Sequence, residues 1–162
     1  MLRYVSYDIV FQEIPHEVTL AINLSNCPNR CKGCHSAYLM QDIGDILNED
    51  ALDDLLRKYG SAITCICFMG GDAAPHDVEY LSVYLHRQTA GKLKTGWYSG
   101  KTSLPEGCNV DNFDYIKIGP YIEQFGGLDS PNTNQRFYRI ENGEMTDMTD
   151  CFRSNRKVSS LA

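Results

Sequence analysis

Two short blocks near the start of the chain, residues 4–10 and 18–24, are rich in Val, Ile and Tyr. A polar stretch with a proline, residues 12–16, separates them, so the pattern predicts a strand, a turn and a second strand. The next signal is helical. Leu52, Leu55, Leu56 and Tyr59 recur three and four apart, Asn48 stands where an N-cap belongs, and Gly60 stands where the helix should stop. Residues 62–69, Ala-Ile-Thr-Cys-Ile-Cys-Phe-Met, are apolar almost throughout. That is the pattern of a strand buried on both faces of a parallel sheet, and Gly70-Gly71-Asp72 breaks it. A second amphipathic segment, residues 78–87, carries Tyr80, Leu81, Tyr84 and Leu85 at helical spacing, a face expected to pack on the sheet. Residues 94–98 and 114–118 read as further strands, the second ending at Gly119-Pro120, while residues 136–140 and 144–148 flank the hairpin turn signal Asn142-Gly143.

Strand and helix alternate, which predicts βαβ units in an α/β fold with a mostly parallel sheet. There are too few units to close an eight-stranded barrel of about 250 residues. The expected architecture is therefore a partial, open β/α barrel with a C-terminal β-hairpin. One domain is expected over residues 1–150. Arg153, Arg156 and Lys157, among Ser154, Asn155, Ser159 and Ser160, mark residues 151–162 as a flexible tail. In such sheets ligands collect beyond the carboxyl ends of strands, where both the 27–35 loop and Gly70-Gly71-Asp72 fall.

Composition narrows the partners. A net charge of -6 carries no basic footprint, so nucleic acid is not expected. No apolar run approaches the roughly 20 residues that cross a bilayer. The opening Met1-Leu-Arg-Tyr-Val lacks the apolar core of a secretory signal, so a cytoplasmic location is expected. Seven cysteines, an odd number, fit reduced thiols and metal binding better than a disulfide framework.

The chemistry concentrates in Cys27-Pro-Asn-Arg-Cys31-Lys-Gly-Cys34-His35. Three thiolates on so short a loop can hold three corners of a four-iron, four-sulfur cluster and leave one iron open for a ligand. The rival reading is a structural zinc site with His35 as fourth ligand, but ligand pairs in such sites are usually spaced by two to four residues and His35 adjoins Cys34. Cys65 and Cys67 share one face of a buried strand and read as core residues. Cys108 and Cys151 have no partner pattern, and neither do His16, His76 and His86.

The Cys-x3-Cys-x2-Cys spacing resembles the signature of radical S-adenosylmethionine enzymes. The longer stretch Leu24-Ser-Asn-Cys27-Pro-Asn-Arg-Cys31-Lys-Gly-Cys34-His35-Ser36 is similar to the activating proteins of anaerobic ribonucleoside-triphosphate reductases. Phe68-Met-Gly70-Gly71-Asp72, Tyr98-Ser99-Gly100 and Thr133-Asn134-Gln135-Arg136 match further family elements in the same order. The resemblance implies a [4Fe-4S] cluster on Cys27, Cys31 and Cys34, with S-adenosyl-L-methionine chelating the fourth iron. It implies reductive cleavage to a 5'-deoxyadenosyl radical, which makes a glycyl radical on the large reductase subunit. An electron donor such as flavodoxin or ferredoxin would feed the cluster. Cofactor contacts would fall to Gly33, Cys34, His35, Gly70, Gly71, Asp72 and Ser99; Lys117, on the strand before Gly119-Pro120, reads either as a further cofactor contact pairing with the carboxylate or as a solvated strand side chain. Family members can carry an acidic residue before the strand-end glycine, where this chain has Ile118. Two other classes stand beside this one: a radical enzyme acting on a small molecule, such as a deazapurine synthase, and a non-enzymatic electron carrier or zinc module.

Overall fold

The computed structural model describes residues 1–34 and 36–153. His35 and residues 154–162, which include most of the expected tail, lie outside the described residues. The strands are β1 (Leu2–Val10), β2 (Thr19–Leu24), β3 (Asp45–Leu47), β4 (Cys65–Met69), β5 (Lys94–Tyr98), β6 (Tyr115–Ile118), β7 (Arg136–Glu141) and β8 (Glu144–Asp147). Helix α1 (Glu49–Tyr59) precedes β4, and α2 (Pro75–Gln88) lies between β4 and β5. The eight strands of the described residues form one sheet in the order β3-β1-β2-β4-β5-β6-β7-β8.

The fold is α/β, but the sheet is mixed, which corrects the expected mostly parallel partial barrel. Among the described residues four of the seven strand junctions are antiparallel and three are parallel. Parallel pairing is confined to β2, β4, β5 and β6, the strands joined by crossovers; short connections set β1 against β2 and β7 against β8. The expected hairpin is present, with Asn142 at φ 52° and Gly143 at φ 79° in its turn. Strand β3 escaped the sequence reading because three residues carry too little alternation to register. No helix of the described residues is long and apolar enough to cross a membrane.

Helix α1 forms as its sequence dictates: the Asn48 side chain accepts from the Ala51 amide, Glu49 and Asp50 occupy the first turn, and Arg57 and Lys58 the last. Alternation along β4 then divides the core. Ile66 and Phe68 face the helices, where they join Leu20, Ile22 and Trp97 of the neighbouring strands with Leu52, Leu81 and Leu85. Cys65 and Cys67 face the other side with Ile14, Tyr115 and Phe137. Ile14, from the β1–β2 connection, fits over Gly96, where a Cβ would stand 2.6 Å from its Cδ1. Phe152 packs edge-on against Phe137 on the same side.

Two expectations about α2 need correction. Leu81 and Leu85 do pack on the sheet, but Tyr80 is 58% exposed and Tyr84 turns toward α1, its hydroxyl donating to Asp53 at 2.8 Å. The buried stripe runs instead through Val78, Leu81, Ser82 and Leu85, a narrower face than the aromatic spacing suggested. His86, unpartnered in the sequence reading, meets Asp114 at 2.9 Å and Thr95 at 3.2 Å, pinning α2 to β5 and the start of β6.

Candidate functional site

Register brings the functional segments together. Asn23 of β2 pairs with Met69 of β4, Met69 with Tyr98 of β5, and Tyr98 with Lys117 of β6. The parallel strands therefore end level with one another. The cysteine loop after β2, Gly70-Gly71-Asp72 after β4, Ser99-Gly100 after β5 and Gly119 after β6 all emerge along one edge.

A repeated backbone device shapes the cysteine loop. Asn26 (φ 58°), Arg30 (φ 48°) and Gly33 (φ 76°) are left-handed, and each immediately precedes a cysteine. Asn and Gly adopt that conformation readily; Arg30 does so at a cost of about 1–3 kcal/mol. The loop is anchored by the Asn26 amide donating to Gln41 O at 2.8 Å and the Cys27 amide donating to Leu39 O at 2.9 Å. All three cysteines are half-buried free thiols. Two already receive N–H donors: Asn29 Nδ2 lies 3.6 Å from Cys27 Sγ, and the Ser36 amide 3.4 Å from Cys34 Sγ.

Asp72 is the hub. Its carboxylate accepts from Asn29 Nδ2 at 2.6 Å, Ser99 Oγ at 2.6 Å and the Gly100 amide at 2.8 Å. It thus ties the cysteine loop to the end of β5. Asp72, expected to accept a hydrogen bond from a bound cofactor, has both its oxygens engaged by the protein, Oδ1 by Ser99 and Oδ2 by Asn29 and Gly100. Gly70 and Gly71 are left-handed at φ 108° and 93°. Gly71 is also a packing position: a Cβ there would come within 2.5 Å of Val78 Cγ2 and 3.0 Å of Leu24 Cδ1.

Lys117 completes the group. It is 8% exposed, and its ammonium donates to Ser99 O at 3.0 Å and Gly119 O at 2.9 Å. Burial pushes it down to about 8, opposed by the negative charges of Asp72, Cys31, Cys27 and Cys34. Among the described residues Lys117 is the one buried cation. Beside it, Gln135 Nε2 donates to Gly119 O at 3.4 Å and Asn134 Nδ2 to Pro120 O at 3.0 Å. Asn134 Oδ1 is buried with no hydrogen-bond partner among the described residues. Arg136 instead points to the hairpin, 3.8 Å from Asp147.

Gly33 is exposed, with the Glu123 carboxyl carbon 3.2 Å from where its Cβ would stand. His35, expected beside it, lies outside the described residues. Cys65 and Cys67 sit in the core below the site, where burial pushes both thiols up. Asn29 and Glu123 were given no role in the sequence reading, and Gly100 entered it only as the end of the Tyr98-Ser99-Gly100 element; the polar residue between two cysteines was the available signal for Asn29. A cavity of about 270 Å³ opens beside Asp72, lined also by Pro75, Lys101, Ser103 and Leu104. A larger one of about 620 Å³, between Met1, Ile46, Glu49 and Tyr80, shares no residue with this group.

Comparison with protein-family models, curated proteins and solved structures gives no match. The site must be judged on its own chemistry. Among the described residues no three His, Cys, Asp or Glu side chains are grouped to hold a metal ion. The donor set nevertheless suits an iron-sulfur cluster: three soft thiols on one loop, N–H groups directed at two of the sulfurs, and a buried cation nearby. Cysteine thiolates hold such clusters, and hydrogen bonds to the sulfurs and local charge tune them.

Proposed function

We propose that this chain is a radical S-adenosylmethionine enzyme that activates an anaerobic ribonucleotide reductase by generating a glycyl radical on its large subunit. The observation that carries the reading is the cysteine loop itself, three half-buried thiols on one short loop, each preceded by a left-handed residue. Cys27, Cys31 and Cys34 would hold a [4Fe-4S] cluster, leaving one iron for S-adenosylmethionine. When bound, the pair supplies one-electron cleavage of the sulfonium to a carbon radical able to abstract a hydrogen atom.

The chain's own residues supply position and exclusion of water. Lys117 has two of its three N–H groups on backbone carbonyls, so the third can receive a ligand carboxylate. A poorly solvated ammonium gains more from such a partner than an exposed one. Asp72 fixes the loop relative to Ser99 and Gly100, which keeps that carboxylate seat and the thiols at a constant separation. Asn134 Oδ1, without a partner among the described residues, offers an acceptor at the edge of the group.

The test is anaerobic incubation of reconstituted protein with reductant, S-adenosylmethionine, a flavodoxin or ferredoxin donor and the reductase. A doublet glycyl-radical resonance on the reductase is the expected result. Cofactor cleavage with no radical on that partner redirects the reading to a small-molecule substrate, and absence of cleavage refutes it.

A further inference from the structure

The amide of Asn29 has a part beyond holding the loop closed. We infer that Asn29 is a positioning residue that sets the reduction potential of the metal centre, by directing one N–H at the Cys27 sulfur while Asp72 holds the other. The inference rests on the cluster reading above.

Asp72 fixes the orientation of this amide. An ionised carboxylate only accepts, so it dictates that the nitrogen of the Asn29 amide, and not its oxygen, faces inward. That contact is short, 2.6 Å to Asp72 Oδ2. Asp72 cannot swing away, because Ser99 Oγ and the Gly100 amide hold it at 2.6 and 2.8 Å. With one hydrogen of the NH2 group committed, the second is presented to Cys27 Sγ at 3.6 Å. The space for this arrangement comes from Gly100, where a Cβ would stand 2.5 Å from Asn29 Nδ2 and 3.2 Å from its Cγ. Gly100 is not left-handed, so glycine is required there by the amide rather than by the backbone.

An N–H donor on a cluster thiolate favours the state carrying more negative charge, which is the reduced one. Losing it should shift the reduced-to-oxidised ratio at fixed poise by about three- to tenfold, tenfold being about 59 mV for one electron. The residue type matters: an aspartate at 29 would set two carboxylates against each other, and alanine would leave Asp72 one partner short.

The test is a redox titration of reconstituted wild type, Asn29→Ala and Gly100→Ala, followed by visible absorption, with iron and sulfide measured on each. Gly100→Ala leaves Asn29 in the chain and only displaces its amide. The expected result is a full cluster in all three, with the midpoint shifted to more negative potential in both variants. An unchanged midpoint in an iron-replete variant overturns the inference while sparing the cluster reading. Loss of iron in both variants also overturns it, by assigning Asn29 to loop folding alone. A wild type that assembles no cluster overturns both.

Discussion

Replacing Lys117 with methionine deletes an ammonium while keeping a stem of similar length. Lys117 is 8% exposed, and burial lowers its pKa from 10.5 to about 8 despite the opposing pull of Asp72 and the three loop thiols. Between those two values the unfolded chain binds more protons than the folded one, so this group makes stability rise with pH across the window. Its penalty is fully felt below about pH 8 and vanishes above the unfolded value. With these two pKa values it amounts to about 3 kcal/mol near pH 7 and about 1.4 kcal/mol near pH 9.5. The carbonyls of Ser99 and Gly119 lose a donor in the variant, but that loss is the same at every pH and cancels in the comparison. Urea unfolding of the metal-free protein should therefore show wild type gaining about 2 kcal/mol on Lys117→Met between about pH 7 and 9.5. A difference that stays flat across the window would refute the burial of this charge, and with it the reason to seat a ligand carboxylate there.

Gly71→Ala places a methyl 2.5 Å from Val78 Cγ2 at φ 93°, and thermal or urea unfolding should show a loss of about 2 to 4 kcal/mol. Little or no loss would show that the turn after β4 can relax. Thiol alkylation of the native metal-free protein should label Cys27, Cys31 and Cys34 and spare Cys65 and Cys67. The latter pair are fully buried and their thiols pushed up by that burial. Mass mapping after a timed iodoacetamide pulse checks this, and equal labelling of Cys67 would contradict the core assignment.

Much of the site was legible because its chemistry is local. Three cysteines within eight residues, a Gly-Gly-Asp break after an apolar strand and a glycine after another strand are all patterns of adjacent residues. Helix α1 was equally plain, since its cap, its apolar stripe and its terminal glycine agree. What the chain concealed is relational. The apolar run around Cys65 and Cys67 announces a strand, but not that β1 and β7 flank the parallel strands in antiparallel pairs, because strand direction depends on connections rather than composition. Nothing in the letters of Asn29 or Gly100 says that one must be small to admit the amide of the other. Tyr80 and Tyr84 misled for the converse reason: helical spacing shows that residues share a face, not which neighbour that face meets.

The central claim is that Cys27, Cys31 and Cys34 hold a cluster with one iron open to S-adenosylmethionine. Its most direct test is electron paramagnetic resonance of the anaerobically reconstituted, reduced protein with and without that cofactor, alongside iron and sulfide analysis of each Cys→Ala variant and of Cys65→Ala. The account predicts four irons and four sulfides in wild type and in Cys65→Ala. It also predicts a spectrum that changes when the cofactor is added, and a defective centre for each loop variant. A cluster indifferent to the cofactor, or iron retained equally when any loop cysteine is removed, would contradict it.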